Sequence, residues 1–177
     1  MAGRFLNVAG AVLTGGASAR MGSDKSGLAI GGVASATRVA RCLALLCDDV
    51  VLVGGDPPRD APGRRAPDGD GPRSALRGLV AALSATSAER VLVVATDLPF
   101  VTPDLLLALI AWPEADVVVP RTADGIHPLC ALYRRASALA VAQKHLAEER
   151  LALSALLNVN TPEDLARATN LAGLRTR

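Results

Sequence analysis

Several short runs of this chain are almost wholly apolar and stop abruptly at glycine, proline or a polar pair. Val8 to Thr14 ends at Gly15-Gly16, Val50 to Val53 ends at Gly54-Gly55, and Val91 to Ala95 ends at Thr96-Asp97. Such runs predict strands buried on both faces. Asp116 to Pro120 and Leu129 to Tyr133 read as further strands. Between them the apolar spacing changes to a helical period over Ser35 to Leu46, Arg73 to Ala85 and Pro103 to Trp112, the last capped by Thr102 with Pro103 at its first position. Arg134 to Arg150 predicts a polar-faced helix, and Thr161-Pro162-Glu163-Asp164 opens a last one. Strands alternating with amphipathic helices predict an α/β fold, a single domain over residues 1–177 with three α/β/α layers and a mostly parallel twisted sheet. Ligands of such sheets bind beyond the C-terminal strand ends, which directs attention to residues 14–25, 54–72 and 96–99. The Pro/Gly/Arg/Asp-rich stretch from Asp56 to Pro72 reads as a long loop within the domain.

Composition narrows the function classes. The 177 residues carry a net charge of only +2 and are half apolar, too balanced for a protein that lives on a nucleic-acid backbone. Phe5, Phe100, Trp112 and Tyr133 are the only aromatics, too few for base-stacking platforms. Cys42, Cys47 and Cys130 form no CxxC pair and lie at no metal-ligand spacing with histidine, so they read as reduced core thiols of a cytoplasmic protein. No leader or membrane-spanning pattern is expected. The basic residues include just two lysines, Lys25 and Lys144, which makes a lysine inside a motif informative.

The segment carrying chemistry follows the first strand: Leu13-Thr14-Gly15-Gly16-Ala17-Ser18-Ala19-Arg20-Met21-Gly22-Ser23-Asp24-Lys25. Paired glycines let the backbone turn with its amides inward as a nest for anionic oxygens, and Arg20 and Lys25 add positive charge. Ser23-Asp24 separates Gly22 from Lys25, so this is not a Walker loop. The dinucleotide fingerprint GxGxxG is absent, and Gly69-x-Gly71-x-x-Ser74 lacks its third glycine, which argues against a Rossmann-type oxidoreductase.

These residues resemble the signature of the nucleotidyltransferases related to molybdenum cofactor guanylyltransferase, LxGGxSxRMGxDK. The resemblance extends in order through Asp97-Leu98-Pro99, Asp124-Gly125-Ile126-His127-Pro128-Leu129, Ala131-Leu132-Tyr133-Arg134-Arg135 and Asn158-Val159-Asn160-Thr161-Pro162-Glu163-Asp164. It implies a Rossmann-like nucleotidyltransferase fold and transfer of a nucleoside monophosphate from an NTP to a phosphate of a cofactor or metabolite, with release of pyrophosphate. The implied catalytic residues are Arg20, Lys25 and Asp97, with Asp97 as the Mg²⁺ ligand. The implied nucleotide contacts are Leu13, Thr14, Gly15, Gly16, Lys25, Gly54, Asp68 and Asp97. On the acceptor side the resemblance points to His127, Asn158 and Asn160. The implied substrates are GTP and a molybdopterin-type acceptor, with a molybdoenzyme or cofactor chaperone downstream.

Departures from the family pattern keep alternatives open. Asp68 is the nucleotide-contacting aspartate of choice, with Asp70 next. The Gly-Pro-Leu-x-Gly motif is split, with Gly71-Pro72 set apart from Leu76-Arg77-Gly78. Ser74 stands where related CTP-using transferases carry serine, and Gly54 stands where the guanylyl enzymes tend to carry Asn. A cytidylyl- or sugar-phosphate nucleotidyltransferase is therefore the alternative. The segment Leu151 to Leu157 is short against the family, which motivates a third reading, a catalytically silent carrier of nucleotide or cofactor.

Overall fold

The computed structural model describes residues 5, 7–15, 29–70 and 74–155, the side chains of 149–155 excepted. Chain contacts divide it into two compact units, Met1–Ala142 and Gln143–Arg177. The first contains a six-stranded sheet. Its central strands are β1 (Val8–Leu13), β4 (Val50–Val53) and β6 (Arg90–Ala95), each on one of the apolar runs. The short β5 (Arg64–Ala66) extends one edge, and β10 (Cys130–Arg134) and β7 (Val117–Val118) extend the other, in the order β5-β4-β1-β6-β10-β7. β5, β4, β1 and β6 pair in parallel, while β10 is antiparallel to both neighbours. The sheet is thus mostly parallel, as the alternating pattern predicts.

Side chains of β1 alternate between two cores. Val8 and Val12 join Val39, Leu43, Leu52, Leu92 and Leu106, a cluster beneath α1 (Ser35–Ala44) and α3 (Pro103–Ala111). Ala11 and Leu13 join Val51, Val53, Leu83, Val91 and Tyr133 beneath α2 (Ala75–Ser84). Each fully buried Val or Leu contributes roughly 1.5–3 kcal/mol of transfer free energy. α1 lies so close to β1 that a Cβ on Gly10 would sit 2.9 Å from the Leu43 Cβ.

Several expectations are corrected in detail. The stretch from Asp56 to Pro72 is not loop throughout: it contains β5, whose charged Arg64 and Arg65 mark an edge strand. α2 begins at Ala75 rather than Arg73, because the Ser74 hydroxyl caps it by accepting from the Arg77 amide at 3.1 Å. The strand expected over 116–120 is the two-residue β7. Two small hairpins, β2 (Ala29–Ile30) with β3 (Val33–Ala34) and β8 (Arg121–Thr122) with β9 (Gly125–Ile126), were too short to show periodicity. A long helix, α4 (Arg135–Ala155), follows β10; past Ala142 it belongs to the second unit, where His145 and Glu148 pair at 3.0 Å.

Candidate functional site

Register decides what meets at the C-terminal edge of the sheet. Leu13 pairs with Val53 on one side and Ala95 on the other, and Val53 pairs with Ala66. The four parallel strands therefore end in one row, and the chain leaves them through Pro67-Asp68, Gly54-Gly55, Thr14-Gly15 and Thr96-Asp97. β10 runs the opposite way, so the residues leading into it arrive at the same edge, and the Ala95 amide donates to the Leu129 carbonyl at 2.8 Å.

The turn after β1 is tied to β4. The Val53 carbonyl accepts from the amides of Thr14 (2.9 Å) and Gly15 (3.1 Å) and from the Thr14 hydroxyl (3.0 Å), and that buried hydroxyl also bonds the Gly54 carbonyl. This refines the expectation of an amide nest: the first two amides are spent on the sheet, so an anion nest would have to be built from later residues. Gly54 (φ 73°) and Gly55 (φ 57°) adopt left-handed conformations that admit glycine most readily. A Cβ on Gly55 would meet the Thr14 carbonyl oxygen at 2.7 Å.

Asp68 is seated over this junction. One of its carboxylate oxygens lies 3.1 Å from where a Gly15 Cβ would stand, and its own Cβ lies 2.8 Å from where a Gly54 Cβ would stand. Of the two aspartates weighed from sequence, Asp68 occupies the strand-end junction, whereas Asp70 is exposed. Asp68 is held by an ion pair with Arg77 of α2, whose side chain is only 8% exposed. Arg77 is the site residue that sequence reasoning missed. The available signal was an arginine on the apolar stripe of a helix, since Arg77 and Gly78 are buried with Ala82 and Leu83.

Asp97 projects from the turn after β6 and is exposed, and among the described residues no cation pairs with it. The separate cap expected for α3 is present, the Thr102 hydroxyl accepting from the Leu105 amide at 3.3 Å, so Asp97 is not needed for that purpose. No cluster of three or more metal-ligating side chains occurs among the described residues. A lone carboxylate nevertheless fits Mg²⁺, which retains waters and takes substrate phosphate oxygens as its other ligands. Asp97 and Asp68 follow strands three places apart, about 14 Å of sheet at roughly 4.8 Å per strand.

His127 sits at the same edge but is engaged locally. Its Nε2 meets the Thr122 hydroxyl at 2.8 Å, its amide donates to the Pro120 carbonyl at 3.1 Å, and its carbonyl accepts from the Cys130 amide at 2.9 Å. These bonds brace the β8–β9 hairpin. Gly16, Arg20, Lys25, Asn158 and Asn160 lie outside the described residues. The cysteines are free thiols rather than nucleophiles: burial, reinforced by Asp48 and Asp49, pushes Cys47 up to about 12, and burial also raises Cys42 and Cys130. No helix among the described residues is long and apolar enough to cross a membrane.

This geometry can be set beside known proteins. Probable molybdenum cofactor guanylyltransferases from Pelotomaculum thermopropionicum and Chloroflexus aggregans are 34% and 32% identical, covering 95% and 89% of this chain and 95% and 91% of their own. A solved Archaeoglobus fulgidus structure titled molybdopterin-guanine dinucleotide biosynthesis protein A shares the fold, with a TM-score of 0.58 at 24% identity over 93% of this chain and 98% of that one. An Aquifex aeolicus protein of solved structure aligns with a TM-score of 0.67 at 24% identity, covering 91% and 90% of the two chains. The family model described as the MobA-like NTP transferase domain matches residues 10–162, a span that includes every strand end brought together above; the chain belongs to that family of nucleotidyltransferases.

Proposed function

We propose that this protein transfers GMP from GTP to the phosphate of a molybdopterin-type acceptor. An acceptor phosphate oxygen attacks the α-phosphorus, the bond from that phosphorus to the α,β-bridging oxygen breaks, and pyrophosphate leaves. The observation that carries the reading is the row of strand ends, along which Asp97 stands one strand from the Thr14-Gly15 turn and three strands from Asp68. A nucleotide laid across that row would have its nucleoside against β1 and β4 and its phosphates toward β6. The names of the relatives support guanylyl transfer in particular.

Little covalent chemistry is asked of the protein; positioning and charge neutralisation do the work. Backbone at Leu13, Thr14, Gly15 and Gly54 borders base and ribose, and Asp68 accepts a donor from the nucleoside. Lys25 and Arg20 neutralise phosphate charge, as the family resemblance implies. Asp97 would hold Mg²⁺, which would supply neutralisation of the phosphate charge. The free thiols suit a cytoplasmic setting, with the product passed to a molybdoenzyme or cofactor chaperone.

One observation favours keeping CTP in view. A side chain at position 54 would run into Asp68, so the amide that guanylyl enzymes tend to place there has no room in this arrangement. The test is pyrophosphate release by purified protein supplied with Mg²⁺, molybdopterin acceptor and GTP or CTP in parallel. Release with GTP is expected, and Asp97→Ala should lower it at least about a hundredfold. Release with CTP alone would move the assignment to cytidylyl transfer. Tight nucleotide binding without turnover would indicate a carrier, and neither binding nor turnover would refute the proposal.

A further inference from the structure

Among the described residues Arg77 is the one charged side chain that the fold buries, and its ion-pair partner Asp68 is itself only 19% exposed. Withdrawing such a pair from water costs free energy that its mutual attraction scarcely returns, so stability alone is a weak reason for it. Its surroundings are specific. Gly15, Gly54 and Gly78 come from three different segments, and each would place a Cβ 2.8–3.7 Å from an atom of Asp68. Any side chain on Gly15 or Gly54 would displace the carboxylate, and Gly78 leaves α2 free to lie against it. Arg77 engages Oδ2, while Oδ1 lies on the side of Gly78 and Leu13, where it can accept a further donor.

We propose that Arg77 is a positioning residue for nucleotide binding: from the first turn of α2 it holds the Asp68 carboxylate over the Gly15–Gly54 junction, so that Asp68 accepts a hydrogen-bond donor of the bound nucleoside. The proposal rests on the nucleotidyl-transfer reading, and extends it to a residue that does not itself touch substrate. An arginine guanidinium is always charged and more weakly hydrated than a lysine ammonium, which suits it to an ion pair withdrawn from water at this position.

The experiment is a double-mutant cycle on Arg77→Met and Asp68→Ala, with Arg77→Lys as the conservative variant. Nucleotide Kd, kcat and KM are measured beside urea unfolding, which verifies that each variant is folded. Arg77→Met should weaken GTP binding roughly tenfold through KM with kcat little changed, the loss expected of one hydrogen bond to a charged group. Arg77→Lys should recover part of it. In the Asp68→Ala background Arg77→Met should weaken binding no further, because the group it positions is gone. Unchanged affinity in Arg77→Met, or losses that simply add in the double variant, would overturn the inference while leaving nucleotidyl transfer intact. Failure of the wild-type chain to bind any nucleotide would instead remove the underlying reading and this inference together. Parallel titrations with ITP, which lacks the guanine amino group, and with 2′-deoxy-GTP identify the donor: the analogue that is insensitive to Asp68→Ala is the one missing it.

Discussion

Two arginine–aspartate pairs sit at opposite ends of the same sheet, and they differ in everything except chemistry. At the N-terminal edge, Arg64 grips Asp49 through two contacts of 3.0 Å, the Thr86 hydroxyl adds a third at 2.9 Å, and both charged side chains are 39–49% exposed. At the C-terminal edge, Arg77 and Asp68 are largely withdrawn from water and ringed by glycines. The first pair joins β5 to the loops preceding β4 and following α2 and can be solvated if broken. The second is far less open to water, and it lies where the parallel strands open onto the candidate site. On the proposed function, the polar groups at one edge brace the fold while those at the other serve a ligand at some cost to stability.

The sharpest way to break that comparison is to remove one cation from each pair. Arg77→Met should cost about 3 kcal/mol in urea unfolding because it strands a largely buried carboxylate, and removing Asp68 as well should restore part of the loss. Equal, small losses for Arg77→Met and Arg64→Met would erase the distinction between the edges.

A smaller effect is expected from the glycines beneath Asp68. Gly54→Ala combines a left-handed backbone with a contact of 2.8 Å to Asp68 and should cost about 1–3 kcal/mol, whereas Gly31→Ala, at φ 59° with open space around it, should lose only about 1 kcal/mol. Denaturation midpoints of the two variants would show the difference.

The smallest effect belongs to Asp49. Hydrogen bonding by Arg64, with help from Thr86 and the Arg64 charge, outweighs desolvation and holds its carboxyl below the ordinary value. A depressed folded value means the stabilisation is fully present above the unfolded carboxylate pKa of about 3.9 and fades as pH falls through the folded one. Asp49→Asn should therefore cost under about 1 kcal/mol at neutral pH, and its gap from wild type should close below about pH 4. A gap that widens in acid would reverse the sign of the argument.

The same contrast explains what could be read from the sequence. β1, β4 and β6 were legible because strands buried on both faces leave a continuous apolar run, and the site's general position followed from where those runs stop. β5 was not legible from periodicity, since an edge strand made of Arg64, Arg65 and Ala66 has no apolar signature, and only the family resemblance of Arg65-Ala66-Pro67-Asp68 hinted at it. Arg77 was passed over because its partner lies nine residues earlier across a turn, a pairing set by tertiary structure rather than helical spacing. Thr14 and Gly15 follow the first strand as the apolar run predicts, yet only the register with Val53 shows that their amides serve the sheet. At His127, too, only the structure shows the local bonds, to Thr122 and Pro120, that a motif residue makes.

The central claim is that a nucleotide and its metal lie along the C-terminal strand ends. Calorimetric titration of Mg·GTP into wild type, Asp68→Ala, Asp97→Ala and Asp49→Asn tests it most directly. One site is expected, weakened roughly tenfold or more by each of the first two substitutions and untouched by the third. Binding that survives both Asp68→Ala and Asp97→Ala at wild-type affinity would place the nucleotide elsewhere and contradict the account.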